Sequence, residues 1–149
     1  MPDPTLYDRD FYAWANEQAA LLRAGRLSAA DIENIAEEIE SICGREKGEM
    51  RRRLQTLLLT LLRWRHLPEH RNETGRGALW RQRLELAHCL ADSPSLRPWL
   101  SGITEDSYQS VVLHGKIEGG LPVTTLPAAC PWTFAQIMDS DFWPEEERH

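Results

Sequence analysis

The chain has 149 residues, a formal net charge of −6 and a sequence pI near 5.4, which is long enough for one domain that buries roughly two-thirds of its unfolded surface without metal or disulfide staples. The acidic total works against long-range attraction of a polyanion, and no apolar run approaches the roughly 20 residues that span a bilayer. Met1 to Asp10 lacks the charged-then-apolar order of a signal peptide. Cys43, Cys89 and Cys130 are odd in number and lack metal-ligand spacing, with Cys43 and Cys89 on apolar helix faces, so reduced core thiols in a soluble cytoplasmic protein are expected.

In chain order, residues 1–9 read as an N-terminal arm. Asp10 to Ala24 is predicted helical, with Phe11, Trp14, Ala15, Gln18 and Leu22 on one side and Gly25 as the closing residue. Ser28 and Asp31 mark the next start, with Leu27 and Ile32 placed to staple the entry. A long apolar stripe follows at three-and-four spacing: Ile32, Ile35, Ala36, Ile39, Ile42 and Cys43, then Met50, Leu54, Leu57, Leu58, Leu61 and Trp64. Gly44 and Gly48 each cost about 1 kcal/mol relative to alanine inside a helix. The phase survives them, so one bent helix with a single buried seam is expected, ending at Pro68.

Glu69 to Gly77 reads as a polar loop. A helix from about Arg76 to Ala91 follows, with Trp80, Leu84, Ala87, Cys89 and Leu90 as inward candidates. Ser93 and Pro94 restart the chain as cap and first position of a short helix through Trp99 and Leu100. Thr104 is expected to cap a further helix holding Tyr108, Val111, Val112 and Ile117 and stopping at Gly119 and Gly120. From residue 121, prolines 122, 127, 131 and 144 alternate with apolar residues. They describe an irregular tail that wraps the bundle, with one short helix near Pro131 to Met138. No strand alternation persists, so the fold class is all-α: a single-domain helical bundle on a long central helix with a proline-rich tail packed on it.

Several runs carry a resemblance: Leu6 to Trp14 (LYDRDFYAW), Ala36 to Ile42 (AEEIESI), Leu61 to Trp64 (LLRW), Gln82-Arg83, Ser93 to Leu96 (SPSL), Leu121-Pro122 and Cys130-Pro131. In order and spacing the chain resembles the bacterial family catalogued as domain of unknown function 29, over nearly its whole length. That resemblance implies a compact helical protein of cyanobacteria and proteobacteria, and no established activity. The chain departs from the family pattern at Thr60, where a histidine is expected, and at Thr74-Gly75, where a Ser-Trp pair is expected. A site built on that histidine would be lost in this member.

The chemistry-bearing clusters are few. Glu37, Glu38 and Glu40, with Glu46 and Glu49 two or three turns on, form a carboxylate group of the kind that holds Mg²⁺ in all-helical nucleotide pyrophosphohydrolases. The spacing fits poorly, since Ser41 stands where a further carboxylate is wanted; a solvated acidic face is the simpler reading. Nine arginines, Arg51, Arg52, Arg53, Arg63, Arg65, Arg71, Arg76, Arg81 and Arg83, face only Glu69 and Glu73 in that segment. Guanidinium forks suit phosphates, yet Arg51 to Arg53 fan around a helix and internal neutralisation by the acidic flanks is preferred. His66, His70, His88 and His114 are scattered, and no nucleophile has a base in reach. Trp14, Trp64, Trp80, Trp99, Trp132 and Trp143 are read mostly as core and tail anchors, with one or two exposed at an interface.

These observations lead to an interaction or regulatory protein without catalytic activity, with a protein partner or a homo-oligomer, no cofactor, no membrane and no nucleic acid. The alternatives are a Mg²⁺-dependent hydrolase of a phosphorylated small molecule with Glu37, Glu38 and Glu49 as metal ligands, and nucleic-acid binding through Arg52, Arg53, Arg63 and Arg76.

Overall fold

The computed structural model describes residues 6–118, 121–122 and 125–145. Every regular element among the described residues is helical: α1 (Leu6–Arg9), α2 (Phe11–Arg23), α3 (Ile32–His66), α4 (Glu73–Asp92), α5 (Leu100–Glu118) and α6 (Phe134–Met138), with 3₁₀ turns at Leu27–Ala29, Pro68–His70 and Pro94–Trp99. The all-α class and the long central helix expected from the periodicity are therefore present. The chain divides into two compact units, Met1–Arg45 and Glu46–His149, and α3 contributes residues to each.

In the first unit Asp10 caps α2 by accepting from the Ala13 backbone at 3.1 Å, and α2 closes where Gly25 takes φ +70°, a conformation that a Cβ would strain. The expected N-terminal arm is helical from Leu6. Its Tyr7 packs edge-on against Phe11 and Trp14 with ring centroids 5.8 and 4.7 Å away. The entry to α3 is organised by Asp31 rather than Ser28, which lies in the 3₁₀ turn. Asp31 accepts from Trp14 Nε1 at 3.0 Å and Asn34 Nδ2 at 2.8 Å, while its backbone N–H donates to Gln18 Oε1 at 2.7 Å. The Asn34 hydrogen bond, aided by Trp14 and opposed by burial, holds the Asp31 carboxyl below its usual range. Leu27 and Ile32 do not form the expected staple, because both are exposed.

The stripe on α3 is split. Met50, Leu54, Leu57, Leu58, Leu61 and Trp64 are buried in the core of the second unit. Ile32, Ile39 and Ile42 are 51, 57 and 48 % exposed, and Cys43 is exposed with them. The single buried seam expected from periodicity is thus a core over its second half and a face turned to water over its first. Helix α3 runs unbroken through Gly44 and Gly48, where an added Cβ would meet open space.

In the second unit, α3 ends at His66 and Pro68 opens a 3₁₀ turn. Arg71 returns to the helix end, donating Nε to Trp64 O and Nη2 to Arg65 O, each at 2.6 Å, and so satisfies carbonyls that the helix itself leaves open. The segment read as a loop up to Gly77 is helical from Glu73, because Asn72 caps α4 through its side chain to Gly75 N at 2.9 Å. The inward face of α4 differs from expectation in part: Leu90 is buried as expected and Cys89 is half-buried, but Trp80, Leu84 and Ala87 are exposed, and Leu79, Arg83 and Leu86 are buried instead. The physical reason is Arg83, a charged residue on the core face, which donates Nε to Ile137 O and Nη2 to Phe142 O, both at 2.8 Å.

Helix α5 begins at Leu100 after the 3₁₀ turn, and Ser93 makes no side-chain cap. Thr104 is not a cap; it lies buried inside α5 with its hydroxyl donated to Leu100 O at 2.7 Å. Tyr108 and Val111 are buried as expected, and the expected stop at Gly119 and Gly120 lies outside the described residues. The tail packs on this unit through Leu121, Trp132 and Ile137, and Tyr108 donates its hydroxyl to Pro127 O at 2.7 Å. The short tail helix starts at Phe134 behind a capping box of Thr133 and Gln136.

Candidate functional site

Among the described residues, exposure and chemistry are combined most clearly at a pair of cavities and at an apolar face. The cavities lie between α3 and α4 in the second unit and share Gln82 as a common wall. The smaller, about 220 Å³, is lined by Glu49, Arg52, Arg53, Thr56 and Glu85 and is internally neutralised. Arg52 and Arg53 both pair with Glu49, the latter at 2.8 Å, and Arg53 Nη1 reaches Glu85 at 3.0 Å. Exposed pairs of this kind contribute about 0–1 kcal/mol each, so they fix side-chain positions more than they stabilise the fold.

The larger cavity, about 430 Å³, is lined by Thr60 and Arg63 of α3, by His70 and Asn72 of the connection, and by Thr74, Gly75, Ala78 and Gln82 of α4. It contains no carboxylate. Thr60 donates its hydroxyl to Thr56 O at 3.0 Å and keeps its lone pairs. Gln82 Oε1 is buried without a hydrogen-bond partner. Gly75 is required here for proximity: a Cβ would lie 2.2 Å from the His70 carbonyl oxygen and 3.4 Å from the Trp64 ring. The Pro68–His70 turn therefore rests on the bare backbone of α4, and a tryptophan at this position would displace it. Thr60, Thr74 and Gly75 all line this one cavity.

The second place is the apolar face of the first unit. Ile32, Ile35, Ile39 and Ile42 repeat at the three-four-three spacing of a helix-pairing seam. Three of the four are about half exposed, and Phe11, Leu22 and Leu27 are exposed in the same unit. Residues 31–40 carry Asp31, Glu33, Glu37, Glu38 and Glu40 and no cation.

The residues singled out from sequence are placed separately. Glu38 accepts the Tyr7 hydroxyl, Glu37 is exposed, and Glu49 belongs to the second unit, paired with Arg52 and Arg53. Among the described residues no three His, Cys, Asp or Glu side chains are gathered as a metal site. Arg52 and Arg53 line the smaller cavity, Arg63 the larger, and Arg76 a third beside Trp64, Asp141 and Trp143. Cys43 is exposed and Cys89 and Cys130 are half-buried, all three free, with burial pushing the Cys89 and Cys130 thiols up. Sequence reasoning missed His70, Asn72 and Thr74 as cavity residues because it read them as loop. The signal was present in Asn72 three residues before Gly75, the spacing of a side-chain cap.

The architecture is that of an all-α protein built on one long helix, with a polar cavity beside it and an acidic-rimmed apolar face. The model of the family described as domain of unknown function DUF29 matches residues 6–143, and the chain belongs to that family. Comparison with curated proteins gives no match, and neither does comparison with solved structures. No helix among the described residues is long and apolar enough to cross a membrane.

Proposed function

We propose that the protein is a non-catalytic interaction module whose docking face is the apolar stripe of its first unit and whose partner is an amphipathic helix with a cationic rim. The carrying observation is the half-exposure of Ile32, Ile39 and Ile42 at seam spacing. Leaving these side chains in water forgoes roughly 1–2 kcal/mol each that a covering helix would recover. The choice of partner follows from charge. Five carboxylates and no cation flank the stripe over residues 31–40, so a second copy would set carboxylate against carboxylate, whereas lysines and arginines beside a leucine stripe would complement it.

The test is fluorescence anisotropy with two labelled peptides that share one leucine seam, one rimmed by lysine and one by glutamate. The lysine peptide is expected to bind, more weakly as salt rises, and at least tenfold more weakly to Ile39→Ser and Ile42→Ser variants. These side chains are exposed, so the variants fold. Equal binding of both peptides, or no effect of either substitution, overturns the reading. So does light scattering that shows a dimer dissolved by Ile39→Ser, which would make the occupant a second copy. Nucleotide turnover with Mg²⁺ that vanished in Glu37→Gln would contradict the absence of catalysis.

A further inference from the structure

We infer that the larger cavity between α3 and α4 binds a small oxyanion carried on a hydroxylated body, such as the phosphate or carboxylate of a sugar acid or sugar phosphate. This site lies in the second unit and stands independently of the docking face.

Four observations carry it. The cavity is about 430 Å³, within the range of small-molecule sites. Its lining is cationic and hydroxylic, with Arg63, His70, Thr60 and Thr74 and no carboxylate. Arg63 makes no ion pair among the described residues, while Arg52, Arg53 and Arg81 are each set against a glutamate. A free guanidinium beside a carboxylate-free cavity is a receptor for an oxyanion, which it grips by two parallel N–H donors. Finally, Gln82 lines the same cavity and its Oε1 has no hydrogen-bond partner among the described residues, a condition that native structures seldom leave uncompensated. A ligand hydroxyl both donates and accepts, so it satisfies that amide whichever way the amide is turned.

Two further features hold the site in shape. The His70 carbonyl sits against Gly75 at a distance that admits no side chain, which keeps the wall carrying His70 close to α4. Asn72 Oδ1 accepts from Gly75 N and its Nδ2 donates to Glu69 O, so it builds the wall. The ligand is therefore read by Arg63 and His70 at its anion, by Thr74 beside them, and by Gln82 at its hydroxyls.

The experiment uses the full ¹⁵N-labelled chain and three probes: ribose 5-phosphate, gluconate and neutral ribose. One anion or both are expected to saturate, with amide shifts concentrated at Thr74, Gly75 and Gln82, and which anion saturates tells phosphate from carboxylate. Ribose is expected to cause no shift there. Arg63→Gln, a change of an exposed side chain, is expected to weaken binding about tenfold or more, and Gln82→Leu, which removes the orphaned amide, about tenfold. Saturation by ribose, absence of saturation by either anion, shifts scattered over other arginines, or affinities unchanged in both variants would each overturn the proposal.

Discussion

Arg83 makes no ion pair among the described residues, yet it is tightly held in the second unit. It is 6 % exposed, burial pulls its pKa below the usual value against the opposing charge of Asp139, and its guanidinium lies 5.8 Å over the Trp143 ring. Its two hydrogen bonds end on backbone carbonyls at Ile137 and Phe142, more than fifty residues away in sequence. The tail therefore docks through one cation that satisfies two carbonyls at once, a geometry that a planar fork presents pre-organised and a flexible ammonium does not. Arg83→Met removes both bonds, and charged hydrogen bonds of this kind are worth about 1.5–3 kcal/mol each. The variant is expected to lose about 2–4 kcal/mol in urea unfolding, and Arg83→Lys is expected to recover less than half of that. Arg71 plays the same part at the end of α3. Neither role is legible in the sequence, because a carbonyl belongs to every residue and no letter marks the one that will need a donor. The arginine-rich segment invites a search for phosphates and glutamates, and two of its members answer to the backbone instead.

Helix α3 shows what periodicity can and cannot specify. Its apolar spacing correctly gives one helix from Ile32 to His66, and it identifies the face on which the core residues Met50 to Trp64 lie. It does not say what covers that face, so the same pattern describes a buried half and a half in water. For α4 the observed phase departs from the expected one at Trp80, Leu84 and Ala87, because a buried arginine between Leu79 and Leu86 looks like a surface position. The larger cavity was not legible, because the convergence of Thr60, Thr74 and Gly75 needs the turn at Pro68–His70, which brings the connection back onto α4. Gly44 and Gly48 permit a direct check of α3. Both are helical and exposed, with nothing within 4 Å of an added Cβ, so Gly44→Ala and Gly48→Ala remove a backbone-entropy cost without a steric one. Each is expected to raise stability by about 0.5–1 kcal/mol, read as a higher urea midpoint at constant slope. A fall in the midpoint would mean that these positions leave the helix in the working protein.

Across the whole molecule, each unit is fastened by a tyrosine whose hydroxyl must stay protonated. Tyr7 donates to the Glu38 carboxylate in the first unit, and that hydrogen bond, with some desolvation and the charges of Glu38, Glu37 and Asp8, pushes its pKa up to about 12. Tyr108 donates to Pro127 O in the second unit, and burial, with Cys130 and Glu105 adding to it, pushes its pKa up to about 12 as well. An unfolded tyrosine ionises near 10. Below that pH both states keep the proton and the contribution of each hydroxyl is whole. Between about 10 and 12 the unfolded chain releases its protons while the folded one holds them, so unfolding is favoured progressively; above 12 the contribution is gone. Urea midpoints measured from pH 9 to pH 12 are therefore expected to fall most steeply inside that window. Tyr7→Phe and Tyr108→Phe lower the midpoint at pH 9, Tyr108→Phe by about 1 kcal/mol equivalent from its lost hydrogen bond, and each flattens the decline above pH 10. A double variant whose midpoint falls as steeply as that of the parent would assign the alkaline loss to other groups and remove both tyrosines from their role as fasteners.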